Sequence, residues 1–287
     1  MIEYPRYLTL PEEYLKSKIT EFLAEDAPKG DFTSIGTIPA DAKCHAFIES
    51  QEQICFAGES IVPAFFDENT EVKMLVKDGL VIKSGTIIAE IYGNAGEILT
   101  KERIILNLIQ RLSAIATLTS KYVEIASPFN VKILDTRKTT PGLRLFEKYA
   151  VSVGGAYNHR LDLSSGILIK DNHIAAAGSI SKALGKIKDL GLHLPIEIEV
   201  ESLDQIREAI KSGVDGFLLD NMSPARTFEA VELIRSSVGG YDLFIESSGG
   251  INLDNLQDYV RTGIDAVSVG SLTHGVKSAD IHIEISA

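Results

Sequence analysis

Residues 196–222 read IEIEVESLDQIREAIKSGVDGFLLDNM, and the order of signals in them decides the fold. IEIEV is a short strand-like run. Ser202 followed by Gln205 has the spacing of a capping box, and Gly213 ends the helix they open. GFLLD is a near-continuous apolar run, the pattern of a strand buried on both faces. The same unit recurs outward in both directions. VKILD (131–135), GILIK (166–170), LFIES (243–247) and AVSVG (266–270) read as strands separated by helical segments, one of them started by Ser223 and Pro224. Strands alternating with helices predict a parallel sheet covered on its outer side.

Polar residues collect where each strand ends: Asp135 to Lys138, Lys170 to His173, Glu199 and Glu201, Asp220 and Asn221, Glu246 to Gly250, and Gly270 with Ser271. In a β/α barrel all these ends open onto one face, where chemistry is built. An open doubly wound sheet also gathers ligands at strand C-termini. Functional groups spread over at least six strand ends, with no single dominant Gly-rich turn, favour the barrel. The total number of strands is not set by these patterns.

Residues 1 to about 100 form a second α/β unit. PEEYLKSKITEFLAED (11–26) places Tyr14, Ile19, Phe22 and Leu23 at helical spacing, and AFIES, ICFAG, VKMLV and TIIAEIYG follow as short strands punctuated by glycines. Thr100 is placed to cap a long helix over 101–126, whose Ile104, Ile105, Leu108, Leu112 and Ile115 recur on one face.

The chain has 287 residues, 45% of them hydrophobic, enough for a substantial core. No apolar run approaches the ~20 residues that span a bilayer, so no membrane partner is expected. The first residues lack a basic segment followed by an apolar one, which argues against a secretory signal. Cys44 and Cys55 show neither metal-ligand nor disulfide spacing, and a reducing cytoplasm is expected. A net charge of −12 argues against nucleic acid as a partner. Yet residues 135–173 hold six lysines and arginines against four acids, which suggests a local anion site. Two of those cations, Arg144 and Lys148, read equally well as solvated charges on a helix face.

Thr136, Arg137 and Lys138, His159 and Arg160, and Lys170 converge at successive strand ends, a fork-and-point-charge set suited to carboxylates and phosphates. Ser248, Gly249 and Gly250, with Val269, Gly270 and Ser271, follow the last two strands, where barrels commonly hold phosphate on backbone N–H groups. Glu199 and Asp220, placed among these cations, suit ribose hydroxyls or a magnesium ion that also contacts substrate phosphates. His274 reads as a phosphate contact or as an inert buried histidine. Lys138 or Lys170 as a Schiff-base nucleophile in a barrel lyase is an alternative.

The run DTRKTTPGLRLFEKYAV, then GGAYNHR and ILIKDNHI, resembles the signature of quinolinate phosphoribosyltransferases, also called decarboxylating nicotinate-nucleotide pyrophosphorylases. EIEVES, LLDNMSP, ESSGGIN and VGSLTHGVKSADI continue the resemblance in order; upstream, GDFTS and ILTKERIILNLIQRLSAIAT resemble it too. Ala114 and Ala156 depart from it at positions of packing and turn. The resemblance implies an incomplete parallel β/α barrel with an N-terminal α/β sandwich domain. The expected division is 1–114 for the sandwich, 115–275 for the barrel, and a segment 276–287 returning to the first domain. It implies quinolinate and 5-phosphoribosyl-1-pyrophosphate as substrates, Mg2+ held largely through the latter, and a homodimer with shared active sites. Arg137, Lys138, His159, Arg160 and Lys170 match the family's anion-binding residues, and Glu199 and Asp220 its ribose and metal side. The loops 248–250 and 269–271 match its phosphate contacts, and Arg103 an arginine contributed by the other subunit. Lys138, Lys170, Glu199 and Asp220 are the implied catalytic set. A phosphoribosyltransferase for nicotinate or another pyridine acid is the nearest alternative.

Overall fold

The computed structural model describes residues 2–286, so the outermost residues of the expected domains, Met1 and Ala287, lie outside the described residues. The chain groups into two compact units that are not contiguous in sequence. No helix among the described residues is long and apolar enough to cross a membrane.

One unit comprises residues 7–120, 145–155 and 275–286. Its strands are β1 (Lys43–Ser50), β2 (Ile54–Cys55), β3 (Glu71–Met74), β4 (Val81–Ile82), β5 (Ile87–Asn94) and the last strand of the chain, β12 (Ile281–Ser286). Four of them form an antiparallel sheet in the order β12-β1-β5-β3. Cys44, Ala46, Ile48 and Ser50 of β1 alternate inward, the period expected of a sheet with one covered face. The long helix spans Ala95–Ala126, and it starts earlier than Thr100. The Asn94 carboxamide accepts from the Glu97 N–H at 3.0 Å, while the Thr100 hydroxyl donates back to the Gly96 carbonyl at 2.8 Å. Asparagine at the end of β5 thus takes the capping role that the threonine was expected to fill. The segment 145–153 is helical and enclosed: Glu147 and Lys148 are fully buried, and Arg111 pairs with Glu147 at 2.6 Å. Lys148 is therefore no solvated charge, and it lies outside the unit that holds the strand-end cations.

The other unit comprises residues 2–6, 121–144 and 156–274. Its strands are β6 (Lys132–Leu134), β7 (Ile167–Ile169), β8 (Ile196–Val200), β9 (Gly216–Asp220), β10 (Phe244–Ser248) and β11 (Ala266–Ser268), all paired in parallel. The spatial order is β6-β11-β10-β9-β8-β7. Each strand neighbours its successor except at one place, and the first pairs with the last. An open doubly wound sheet reverses direction at a switch point; this order never does. It is a ring opened between β6 and β7, an incomplete β/α barrel. At the opening, the Tyr157 N–H donates to the Ile133 carbonyl at 2.9 Å and the Asp135 N–H to the Tyr157 carbonyl at 3.2 Å, so residue 157 lines the seam.

Helices follow β7 through β10 as the periodicity predicted. Ser202 accepts from the Gln205 N–H, Gly213 takes a positive φ, and Pro224 follows the Ser223 cap. The N-terminal residues enter this unit from far upstream in sequence. Ile2 packs with Leu134, Phe244 and Ala266, with Tyr4 and Tyr157 alongside. Gly216 makes room for it: a Cβ there would lie 2.6 Å from Ile2 Cδ1.

Two aspartates stitch the starts of neighbouring strands. Asp215 precedes β9 and accepts from the Ile196 N–H of β8 at 2.7 Å; Asp265 precedes β11 and accepts from the Ile245 N–H of β10 at 2.7 Å. Asp265 also receives Arg235 at 2.8 Å. They sit at the opposite ends of the strands from the polar residues, where a barrel keeps its stability rather than its chemistry. Asp215→Ala and Asp265→Ala are expected to lower unfolding free energy by about 1–3 kcal/mol each in urea titrations. The second change should be larger because Arg235 loses its carboxylate. Unchanged midpoints would show that these bonds contribute nothing.

Candidate active site

Because side chains alternate along a strand, residues two apart share the inner face of the sheet. Leu168 and Lys170 do so on β7 and its end, Glu197 and Glu199 on β8, Leu218 and Asp220 on β9, Glu246 and Ser248 on β10. The outermost of each pair lies at the strand's C-terminal end. These ends surround a cavity of about 550 Å³, with Thr136, Arg137 and Lys138 from the loop after β6 and His159 and Arg160 from the segment before β7. Gly249 and Gly250 complete the wall, both with φ in the left-handed region.

The charges in this wall are held in different ways. Lys170 Nζ lies 2.5 Å from Glu199 Oε2. It is therefore engaged in an ion pair rather than standing in an apolar pocket as a Schiff-base lysine would. Arg160 donates to the Gly166 carbonyl at 2.9 Å; burial and the neighbouring charge of Arg137 push its guanidinium below the usual arginine value. The Nε of Arg137 is buried and has no hydrogen-bond partner among the described residues. A buried guanidinium N–H without an acceptor is costly, and an anion entering the cavity would satisfy it. The Lys138 carbonyl accepts from the Thr273 hydroxyl at 2.7 Å, and the Lys138 N–H donates to Thr136 Oγ1 at 3.0 Å.

Beside the cations lies a buried polar network. The Asp135 carboxylate accepts from Asn158 Nδ2 at 2.7 Å and from the His159 N–H at 2.8 Å. His159 Nδ1 accepts from the Arg160 N–H at 2.8 Å, which leaves the ring proton on Nε2. That nitrogen lies 3.4 Å from Glu197 Oε2 and 3.6 Å from Glu246 Oε2. The Tyr4 hydroxyl donates to Glu197 Oε2 at 3.0 Å, and its ring packs on His159 at 4.9 Å between centroids. Burial, then the charges of Glu246 and Glu197, raise the Tyr4 pKa, so the phenol keeps its proton. Burial and the charge of Glu197 push Glu246 up to about 8. His159, Glu197 and Glu246 bring one donor atom each within 4.8 Å, as a metal site would. A metal-bound imidazole, however, donates from its other nitrogen, and here Nδ1 accepts.

Eleven of the expected site residues thus line one cavity, and five do not. The Val269 N–H donates to the Leu134 carbonyl at 2.9 Å. Gly270, Ser271 and His274 form a helical turn behind Lys138: a Cβ on Gly270 would come 3.0 Å from Lys138 Cδ and 3.3 Å from His274 Nε2. Arg103 belongs to the other unit, its side chain 62% exposed and 3.7 Å from Glu102. His159, expected to grip an anion, has both ring nitrogens against protein groups. The cavity adds Glu246, Asn221 and Ser268 to the expected set. Alternation from Ser248 and Asp220 would have found Glu246; Tyr4 carries no sequence signal at all.

Two family models match almost the whole chain: Quinolinate phosphoribosyl transferase, N-terminal domain, over residues 31–113, and its C-terminal domain over residues 115–284. The chain is 44% identical over 276 residues to a probable nicotinate-nucleotide pyrophosphorylase (carboxylating) of Bacillus subtilis, covering 95% of this chain and 93% of that one. It is 38% identical over 276 residues to the Mycobacterium leprae nicotinate-nucleotide pyrophosphorylase, covering 94% and 96%. The solved structure of the nicotinate-nucleotide pyrophosphorylase from Francisella tularensis superposes with a TM-score of 0.91 at 36% identity, covering 99% of this chain and 100% of that one.

The elevated Glu246 pKa has a measurable consequence. A glutamate with an ordinary value of 4.5 ionises in the unfolded chain well below the folded value of about 8. Between the two, the folded chain holds the extra proton, so stability falls as pH rises, by up to about 1.4 kcal/mol per unit, and levels off above the folded value. Glu246→Gln keeps the neutral form throughout. Its melting temperature is expected to be flatter than the wild type's between about pH 5 and 8. Parallel curves would assign the proton elsewhere.

Proposed function

The chain belongs to the quinolinate phosphoribosyltransferase family, and on that premise we propose how its own residues carry the family's reaction. The activity is that of a decarboxylating pentosyltransferase of NAD biosynthesis. Phosphoribosyl passes from 5-phosphoribosyl-1-pyrophosphate to quinolinate, giving nicotinate mononucleotide, pyrophosphate and carbon dioxide. The observation that carries the site assignment is the buried, unpartnered Nε of Arg137 in a cavity that also holds Arg160, Lys138 and Lys170.

Quinolinate brings two carboxylates to this wall, and the guanidinium planes of Arg137 and Arg160 suit them. Lys138 and Lys170 serve as point charges for carboxylate and phosphate. The 5-phosphate is assigned to the Ser248–Gly250 turn, where glycines admit close backbone approach. Glu199 and Asp220 face the ribose, where positive charge develops as pyrophosphate departs. The pyridine nitrogen attacks the anomeric carbon and the C–O bond to pyrophosphate breaks. The ring becomes a pyridinium, whose positive nitrogen stabilises the electron pair left on the adjacent ring carbon when its carboxylate leaves as carbon dioxide. That carbon then takes a proton from solvent to give nicotinate mononucleotide. No covalent bond to the protein is needed; position and fixed charge do the work. Magnesium fits the donor set, since Glu199 and Asp220 offer the oxygens it prefers; held mainly by the pyrophosphate, it would offset that group's charge. Two free, buried cysteines suit a reducing compartment, and the cytoplasm is the location we assign.

Release of carbon dioxide and pyrophosphate, followed with quinolinate and with nicotinate, tests this function. Loss of one charge-assisted contact set removes about 1.5–3 kcal/mol per contact, so nicotinate is expected to be turned over at least tenfold less well. Equal turnover would overturn the decarboxylating assignment.

We further assign Arg103 to the neighbouring subunit's site in a twofold dimer, where sharing is reciprocal. Its exposed side chain, 3.7 Å from Glu102, supports that reading. Arg103→Ala and Lys138→Ala homodimers should each be nearly inactive. Random exchange makes half the dimers mixed, each with one intact site, so activity should return to roughly a quarter of wild-type. No recovery after proven exchange would refute the shared site.

A further inference from the structure

We propose that Asn221 is a positioning residue that holds the Asp220 carboxylate and the Gly249 phosphate turn in one fixed relation. The inference rests on the assignment of Asp220 to the ribose and of residues 248–250 to phosphate.

Asn221 follows the last residue of β9 and takes φ +52°, in the left-handed region. Its backbone N–H donates to the Ser248 carbonyl at 2.9 Å, and β9 and β10 pair in register with Ser248 opposite Asp220. The next residue is anchored as well, since the Met222 carbonyl accepts from the buried Tyr259 hydroxyl at 3.0 Å. The backbone around Asn221 is therefore set by its neighbours, and glycine would adopt it with less strain. What asparagine adds is the carboxamide. Its Nδ2 donates to Asp220 Oδ2 at 2.7 Å. Its Oδ1 occupies the place of a Cβ on Gly249, which would lie 2.3 Å from it. One planar group thus bonds the carboxylate on one side and on the other fills the space that a side chain on Gly249 would need. Gly249 sits at φ +95°, so this turn is shaped by its lack of a side chain and by the amide that fills the space.

The two ends that Asn221 links are assigned to one substrate, the ribose and the 5-phosphate of phosphoribosyl pyrophosphate. Quinolinate is assigned to the arginines across the cavity. Disturbing Asn221 should therefore weaken the first substrate and spare the second, a split that general loosening of the fold does not produce.

Asn221→Gly keeps the left-handed backbone and removes the amide. Asn221→Asp keeps the size but turns a carboxylate toward Asp220. Titration calorimetry with phosphoribosyl pyrophosphate and Mg2+, beside steady-state kinetics and thermal melts, tests both. Asn221→Gly is expected to weaken phosphoribosyl pyrophosphate binding about tenfold, and Asn221→Asp more, the range set by one charge-assisted hydrogen bond. The quinolinate KM should stay within about twofold, because its contacts are untouched. Wild-type affinity in Asn221→Gly would overturn the inference, as would equal weakening of both substrates. Should Asn221→Asp fail to fold, Asn221→Gly alone decides. A wild-type chain that does not bind phosphoribosyl pyrophosphate would instead overturn the site assignment on which the inference rests, and the inference with it.

Discussion

The pairing of β6 with β11, Lys132–Leu134 against Ala266–Ser268, is the constraint on which the rest of this unit depends. It joins the first strand of the sheet to the last and turns a row of six strands into an open ring. Through it the loop carrying Arg137 and Lys138 comes to lie beside the turn after β11. The Val269 N–H bonds to Leu134, Thr273 bonds to the Lys138 carbonyl, and Gly270 leaves room for the lysine stem. A flat sheet with the same strands would leave those two cations at one edge, away from Asp220 and the glycine turn.

Bringing cations together in a cavity is unfavourable unless something offsets their repulsion. Two features do so here. Lys170 is matched by Glu199 at 2.5 Å, and Glu197, beside the buried Glu246, acts electrostatically on Arg160. Two ionised carboxylates at that depth would repel each other as strongly as the cations do. Burial and the neighbouring Glu197 push Glu246 up to about 8, and the Tyr4 hydroxyl and His159 Nε2 face Glu197 Oε2. The network therefore gives Arg160 a counter-charge, and Arg137 still has a donor to offer.

Much of this was legible in the sequence because its signals are local. Six strands, the Ser202 and Ser223 caps and the polar strand ends follow from periodicity and capping chemistry that span a few residues each. The resemblance to the transferase family then gave roles to Arg137, Lys138 and Arg160. What sequence patterns missed depends on distant partners. Asn94 outcompetes Thr100 as the cap because β5 runs straight into the helix, a continuity that no local signal marks. Lys148 reads as a surface charge until the whole segment 145–153 is seen enclosed. Tyr4 lies 155 residues from His159, and nothing near it in sequence announces that contact. The Val269 N–H looked available because a glycine and a serine follow it, yet its partner is on β6.

The strands also explain why neighbouring residues of one chemical type have different work. Glu197 and Glu199 are both inward-facing glutamates on β8, two residues apart. The lower one meets Tyr4 and His159 in a buried polar cluster; the upper one meets Lys170 at the cavity wall. On β10 the same step separates Glu246, wholly buried, from Ser248, which lines the cavity beside the glycine turn. On β9 it separates Leu218 from Asp220. Depth along the strand decides whether a side chain sets the charge of the floor or reaches a ligand. Moving either glutamate by one residue would turn it to the outer face, and by two would exchange the roles. The site is thus written in the phase and length of its strands as much as in the identity of its residues.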